Sequence, residues 1–189
     1  MPRFPMTFGA ESIEVELPEW TECLSMSEPK ALASPRQAIM EALRKPIGSP
    51  ALGEIVGRKM EGKVEPTAAI VISDNTRPVP YSGESGILSP VVDLLVEAGI
   101  KPERITIIVA TGTHRALSQA ELEGMIDPAV LARPVRIVCH DCRDEASLEF
   151  LGTTSRGTRV LINRAYLESD VKILTGLVES HFMAGASGG

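Results

Sequence analysis

The chain has 189 residues, 43% of them hydrophobic and 23% charged, with a formal net charge of −6. That balance is ordinary for a soluble globular protein, and the length allows a core without metal or disulfide staples. The acidic balance argues against nucleic acid as a partner, because the longest basic grouping is Arg58-Lys59, and no apolar run approaches the roughly 20 residues a membrane span needs.

The first residues, Met1-Pro2-Arg3-Phe4-Pro5, hold two prolines and no apolar secretory core. With three cysteines, an odd count, this points to the reducing cytoplasm rather than a disulfide framework. Ser12–Leu17 alternates polar and apolar and reads as one short strand ended by Pro18. Residues 18–33 read as a surface loop, and residues 1–33 are expected to belong to the same domain as 34–189.

Ser34-Pro35 predicts an N-cap followed by proline at the first helical position. That helix carries Ala38, Ile39, Ala42 and Leu43 on one face and stops at Pro46. A second helix is expected over 51–59. The rhythm then changes. Thr67–Ile72, Ile105–Val109, Val135–Cys139 and Val171–Leu174 are near-continuous apolar runs of strand length. Such runs predict strands buried on both faces, as in a parallel sheet. Between the first two lies Ile87–Ala98, with Leu88, Val91, Val92, Leu95 and Val96 at helical spacing and Gly99 as its C-terminal cap. Ser118-Gln119-Ala120-Glu121 is a capping-box pattern opening a further helix. Leu148–Thr153 and Thr158–Asn163 read as a β-hairpin inserted before the last strand. The expected fold is α/β: an open, mostly parallel sheet with flanking helices and an inserted β-hairpin, Rossmann-like but without a GxGxxG loop.

In such sheets ligands bind beyond the carboxyl ends of the strands. Three segments follow strand ends: Ser73-Asp74-Asn75-Thr76-Arg77-Pro78-Val79-Pro80, Ala110-Thr111-Gly112-Thr113-His114-Arg115, and Thr175-Gly176-Leu177-Val178-Glu179-Ser180-His181-Phe182. All three are expected on one rim. His114 and His181 lie at similar distances past their strands, and imidazole can take and return a proton near neutral pH. Each could instead cap a loop. Zinc is not favoured, because it wants three or four protein ligands. Arg77, held between Thr76 and Pro78, suits bidentate binding of a carboxylate or phosphate, or an ion pair with Asp74. Asp74 could meet a ribose hydroxyl or orient a histidine. Ser73 and Thr76 could donate to phosphate, and the small residues Gly185–Gly189 could let backbone amides approach one, unless the terminus simply frays. Cys139-His140-Asp141-Cys142 is a lone CxxC with no second pair, and the cysteines read as structural or incidental.

Taken in order, these three motifs, with Pro46-Ile47-Gly48-Ser49 and Gly185–Gly189, resemble the N-terminal part of the nickel-dependent lactate racemase family from about residue 36 onward. The resemblance implies an isomerase, a 2-hydroxy-acid racemase or epimerase. Its cofactor is a nickel pincer nucleotide, pyridinium-3,5-bisthiocarboxylate mononucleotide nickel, which takes a hydride from the hydroxyl-bearing carbon and returns it. It implies His114 and His181 as the acid/base pair and Arg77 as the group that binds the substrate carboxylate. Ser73, Asp74, Thr76, Gly188 and Gly189 are then expected near the cofactor, with no metal ligand in this chain. In the family an Arg-Lys pair, whose lysine tethers the cofactor, follows the Gly188-Gly189 position, and the nickel-ligating histidine lies further on. The chain is therefore expected to be a truncated N-terminal domain lacking its C-terminal partner domain, inactive and without cofactor by itself. A non-catalytic nucleotide- or anion-binding module is the alternative, and a hydrolase using the two histidines with a metal is a third reading.

Overall fold

The computed structural model describes residues 2–9, 11–24, 27 and 30–188. The chain divides into two compact units, residues 1–32 and 33–189. In the first, β1 (Arg3–Phe8) and β2 (Glu11–Glu16) pair antiparallel. The register sets Phe4 opposite Val15 and Met6 opposite Ile13 on one face. Arg3 opposes Glu16 on the other, and the two side chains form a 2.6 Å ion pair. Sequence reasoning expected one strand here. It missed β1 because two prolines in residues 1–5 demote a strand reading, whereas an edge strand tolerates proline.

The second unit opens with α1 (Pro35–Arg44) and α2 (Leu52–Met60). Proline starts α1 as expected, but Ser34 makes no side-chain capping bond. The sheet follows: β3 (Ala68–Ser73), β4 (Ile105–Ala110), β5 (Arg136–Cys139) and β8 (Val171–Leu174). Its order is β5-β4-β3-β8, and every pairing is parallel. The chain therefore steps from β3 to β4 to β5 in one direction, and β8 then joins the opposite side of β3. The β3/β8 boundary is the switch point at which open α/β sheets bind ligands.

Helix α3 (Leu88–Glu97) connects β3 to β4 and buries Leu88, Val91, Val92 and Leu95, the i, i+3, i+4, i+7 stripe of an amphipathic helix. Pro90 stands in its first turn, where its missing N–H costs no helical bond. Gly99 ends the helix with φ 101°, and the Gly99 and Ile100 N–H groups donate to the Val96 and Leu95 carbonyls at 2.9 and 3.0 Å. That is a Schellman cap, and it turns Ile100 back into the core beside Leu95. Ile70, Ile72, Ile107, Val109, Leu88, Val92 and Leu95 are all fully buried. Burial of each such side chain stabilises the fold by about 1.5–3 kcal/mol.

The capping box of α4 (Gln119–Met125) is formed by Ser118 and Glu121 as the pattern predicted, and the short α5 (Pro128–Leu131) follows with Asp127 as its cap. The inserted hairpin consists of β6 (Leu148–Thr153) and β7 (Arg159–Asn163), and α6 (Arg164–Glu168) leads into β8. Burial on both faces holds for β3 and β4 but not for the edge strands β5 and β8, where Arg136, Lys172 and Leu174 are exposed. Past β8, β9 (Glu179–His181) and β10 (Gly185–Ser187) form a second small hairpin that the pattern did not announce. Among the described residues no helix is long and apolar enough to cross a membrane.

Candidate active site

The parallel register brings Ser73 opposite Ala110 and Val71 opposite Leu174. The loops that begin at Asp74, Thr111 and Thr175 therefore leave the same rim side by side. Together they line a cleft of 610 Å³ whose walls include Ser73, Asp74, Thr76, Arg77, Thr111, His114, Thr175 and Gly188. Of the residues expected at a site, the structure thus gathers Ser73, Asp74, Thr76, Arg77, His114 and Gly188. His181 does not line the cleft: it ends β9, on a hairpin that leaves the rim at Leu177 and returns to it at Gly188. Gly189 lies outside the described residues.

Asp74 is the buried polar centre of the site, 4% exposed. Its Oδ1 accepts from the Thr76 backbone N–H at 3.1 Å and from the Thr76 hydroxyl at 2.5 Å. Its Oδ2 lies 2.5 Å from Nδ1 of His114. Burial pushes the Asp74 carboxyl up, but the hydrogen bonds from His114 and Thr76 outweigh it and hold the group below its ordinary value of 3.8. An ionised carboxylate only accepts hydrogen bonds, so Nδ1 of His114 must carry a proton, and in the neutral ring Nε2 is left as a free lone pair. This assignment follows from the bonding pattern. The His114 side chain is 57% exposed, so that lone pair can meet a ligand.

His181 has the opposite arrangement. Its Nδ1 accepts the backbone N–H groups of Met183 and Ala184 at 3.2 and 3.1 Å, so the neutral ring carries its proton on Nε2. Its ring stacks on Phe182 with centroids 5.1 Å apart. One histidine is therefore set as an acceptor and the other as a donor. The ion pair that sequence allowed between Arg77 and Asp74 does not form, because His114 takes the carboxylate. Arg77 makes no ion pair among the described residues. Among the described residues its guanidinium reaches only the Thr76 carbonyl, at 3.5 Å, and it remains exposed at the cleft.

Further contacts brace the loops. Arg115 forms a bidentate pair with Glu121 at 2.7 and 2.8 Å, and Asn75 donates to the same carboxylate at 3.2 Å. The loops after β3 and β4 are thereby tied to the first turn of α4. The Thr111 hydroxyl donates to the His140 carbonyl, and the His114 N–H donates to the Thr111 carbonyl at 2.9 Å. Sequence reasoning named Thr111 only within its motif and Glu121 only as a helix cap, and it passed over Tyr81. No sequence signal marked Tyr81, because its burial, which obliges the phenol to find a partner, is decided by the fold.

Gly188 has a steric reason to be glycine. Its φ is 92°, and an added Cβ would sit 1.7 Å from the Leu177 carbonyl oxygen. This close approach of two backbones closes the base of the β9/β10 hairpin. Cys139 and Cys142 are free thiols, and among the described residues no three His, Cys, Asp or Glu side chains gather as a metal site. A second groove, of 570 Å³, is lined by residues such as Arg104, Arg136, Arg164 and Glu168. Arg104 and Arg164 there are engaged by Glu65 and Glu149.

A family model described as the lactate racemase N-terminal domain matches residues 8–189. The chain is 32% identical over 160 residues to the lactate racemase of Thermoanaerobacterium thermosaccharolyticum, covering 85% of this chain and 35% of that protein. It is 34% identical over 156 residues to the lactate racemase of Lactiplantibacillus plantarum, covering 82% and 34%. The chain thus spans about a third of the length of the curated relatives it matches. Among solved structures, the lactate racemase apoprotein of T. thermosaccharolyticum superposes with a TM-score of 0.75 at 26% identity, covering 98% of this chain and 41% of that one. A Thermotoga maritima protein of 20% identity and TM-score 0.50, covering 72% of this chain and 35% of that one, shares the fold.

Proposed function

The chain belongs to the lactate racemase N-terminal domain family, and from that premise we propose that it supplies the acid/base and carboxylate-binding half of a 2-hydroxy-acid racemase or epimerase site. The observation that carries the reading is the Asp74–His114 pair at 2.5 Å, set beside an Arg77 with no ion-pair partner among the described residues, at the β3/β8 switch point.

A 2-hydroxy acid offers a carboxylate and an adjacent hydroxyl. Arg77 takes the carboxylate through its guanidinium fork. Nε2 of His114 takes the hydroxyl proton, and the Asp74 carboxylate stabilises the imidazolium that forms. His181, which does not line the cleft but sits on the hairpin that leaves and rejoins its rim, is assigned the opposite face of the substrate. In the present arrangement it offers Nε2–H, a donor, so taking a proton there requires Nδ1 to release its two backbone N–H groups. At an accessible site each such bond contributes about 0.5–1.5 kcal/mol, which a bound substrate can offset. The two histidines are therefore unequal, with His114 the better poised base.

The nucleotide end of a nickel pincer nucleotide fits the cleft. The Ser73 hydroxyl and the backbone at Gly112, Gly176 and Gly188 suit phosphate and ribose, whereas the Thr76, Thr111 and Thr175 hydroxyls already donate to Asp74 and to the His140 and Val71 carbonyls. The chemistry supplied by such a group, were it bound there, would be reversible hydride acceptance from the substrate carbon. The soft or imidazole ligands that would hold its nickel end are assigned to residues outside these 189. On this reading the 189 residues by themselves neither retain stoichiometric nickel nor racemise lactate.

The test is an assay of a longer parent chain, one that spans its relatives' length, loaded with cofactor on a panel of 2-hydroxy acids. Racemisation that fails with both His114→Ala and His181→Ala supports the proposal. Full activity in both variants overturns it.

A further inference from the structure

We propose that Tyr81 is a positioning residue for the Asp74–His114 pair, acting through a hydrogen-bond relay that closes the loop carrying Asp74, Thr76 and Arg77. The proposal rests on His114 being the base of the site.

The relay starts at the end of β3. The ladder between β3 and β8 stops at Val71↔Leu174, so two residues later Ser73 has no partner on that side. Its N–H donates instead to the Tyr81 hydroxyl oxygen at 2.7 Å. That oxygen lies 3.0 Å from Oγ1 of Thr175, and the Thr175 hydroxyl donates to the Val71 carbonyl at 2.8 Å. The single proton of the Thr175 hydroxyl is thereby spent, so the Tyr81 O–H must donate to Thr175. Its own lone pair then receives Ser73. Only this direction satisfies every group, and the chain runs Ser73 N–H to Tyr81 to Thr175 to the Val71 carbonyl.

The consequence lies in the loop. Asp74 follows Ser73 directly, and the chain bends back so that Tyr81 returns beneath the residue where the loop began. Val79 N–H donates to the Arg77 carbonyl at 2.8 Å, and Ile87 N–H donates to the Pro80 carbonyl at 2.9 Å. Val79 and Tyr81 are buried, with Tyr81 only 1% exposed. The segment from Ser73 to Tyr81 is thus closed on itself, with its apex, Arg77, exposed at the cleft. Asp74 is held between a pinned Ser73 and its own bonds to Thr76. The Oδ2–Nδ1 bond to His114 depends on that placement, because a carboxylate displaced by about 1 Å loses hydrogen-bond distance.

A buried tyrosine that only fills space would add to stability without setting the proton position on a ring one loop away. The experiment that separates the two uses the 189-residue chain with 15N-labelled histidine. The chain has three histidines, so His140 and His181 serve as internal references. In the native protein the neutral His114 is expected as the Nδ1–H form with a low-field proton resonance. Tyr81→Phe keeps the ring and removes the hydroxyl. The expected result is loss of that resonance and a drift of His114 toward the Nε2–H form, with the His140 and His181 signals unmoved. A folded Tyr81→Phe protein whose His114 tautomer is unchanged overturns the proposal. If that variant does not fold, Thr175→Val breaks the relay at its other end and must give the same drift, with Thr175→Ser restoring it. An unchanged tautomer in Thr175→Val likewise overturns it. These signals report the relay whatever the reaction is, so retained racemisation in His114→Ala would count against the catalytic reading alone.

Discussion

Oδ2 of Asp74 and Nδ1 of His114 stand 2.5 Å apart and join the loop after β3 to the loop after β4. A buried carboxylate thereby sets the tautomer of an accessible imidazole, which is how a general base acquires a defined lone pair. In a longer, cofactor-loaded parent chain, Asp74→Asn should lower kcat far more than it raises KM, because the substrate is not held by this residue. His114→Ala should lower kcat by about 10²–10⁴-fold, the usual contribution of a positioned acid/base group. Steady-state kinetics on one 2-hydroxy acid in both directions check this. Equal loss in KM and kcat for Asp74→Asn would mean that Asp74 binds substrate or cofactor instead.

Arg77 predicts the complementary result. Arg77→Lys keeps the charge and loses the planar fork, so KM should rise with a smaller change in kcat. Arg77→Ala removes a charged hydrogen-bonding group altogether, an effect of roughly 10- to 100-fold on kcat/KM. If KM for the carboxylate substrate is unmoved in both variants, the anion-binding assignment is wrong.

The depressed Asp74 carboxyl sets a pH dependence of stability. Its folded value lies below the ordinary 3.8. Its contribution is therefore fully present above 3.8 and is lost as pH falls through the depressed folded value. Denaturant midpoints of the native chain and Asp74→Asn, measured from pH 6 to pH 2.5, should differ most at the upper end and converge at the lower. A difference that grows on acidification would reverse the assigned sign.

Gly188→Ala should open the base of the β9/β10 hairpin, since its methyl would enter the Leu177 carbonyl and a φ of 92° strains any side chain. Hydrogen exchange should quicken across 179–187 and stay unchanged in β3 and β4. Unaltered protection of the hairpin would contradict the close approach.

The relation between pattern and structure differs from element to element. The α3 stripe, the Gly99 cap, the Ser118/Glu121 capping box and the β6/β7 hairpin are local devices whose signals lie within a turn or two of chain, and the structure forms each of them. Ser73, Asp74, Thr76, Arg77 and His114 were legible as site candidates for a related reason. Continuous apolar runs mark buried strands, and the polar residues that end them must face the rim. Edge exposure was not legible, because whether a run lies at the centre or the edge of a sheet depends on strand order.

What the sequence determined by itself is therefore the four strands of the sheet, helices α1 to α4 and the β6/β7 hairpin, the parallel α/β class and the identity of the groups offered at the strand ends. Only tertiary structure decided who meets whom. The pairing of Asp74 with His114 spans 40 residues and that of Tyr81 with Thr175 spans 94. Both follow from the order β5-β4-β3-β8, which lays three strand ends side by side. Proton positions followed in turn, since a histidine's tautomer is set by the neighbour that bonds its other nitrogen. That neighbour is an aspartate for His114 and the backbone of its own turn for His181.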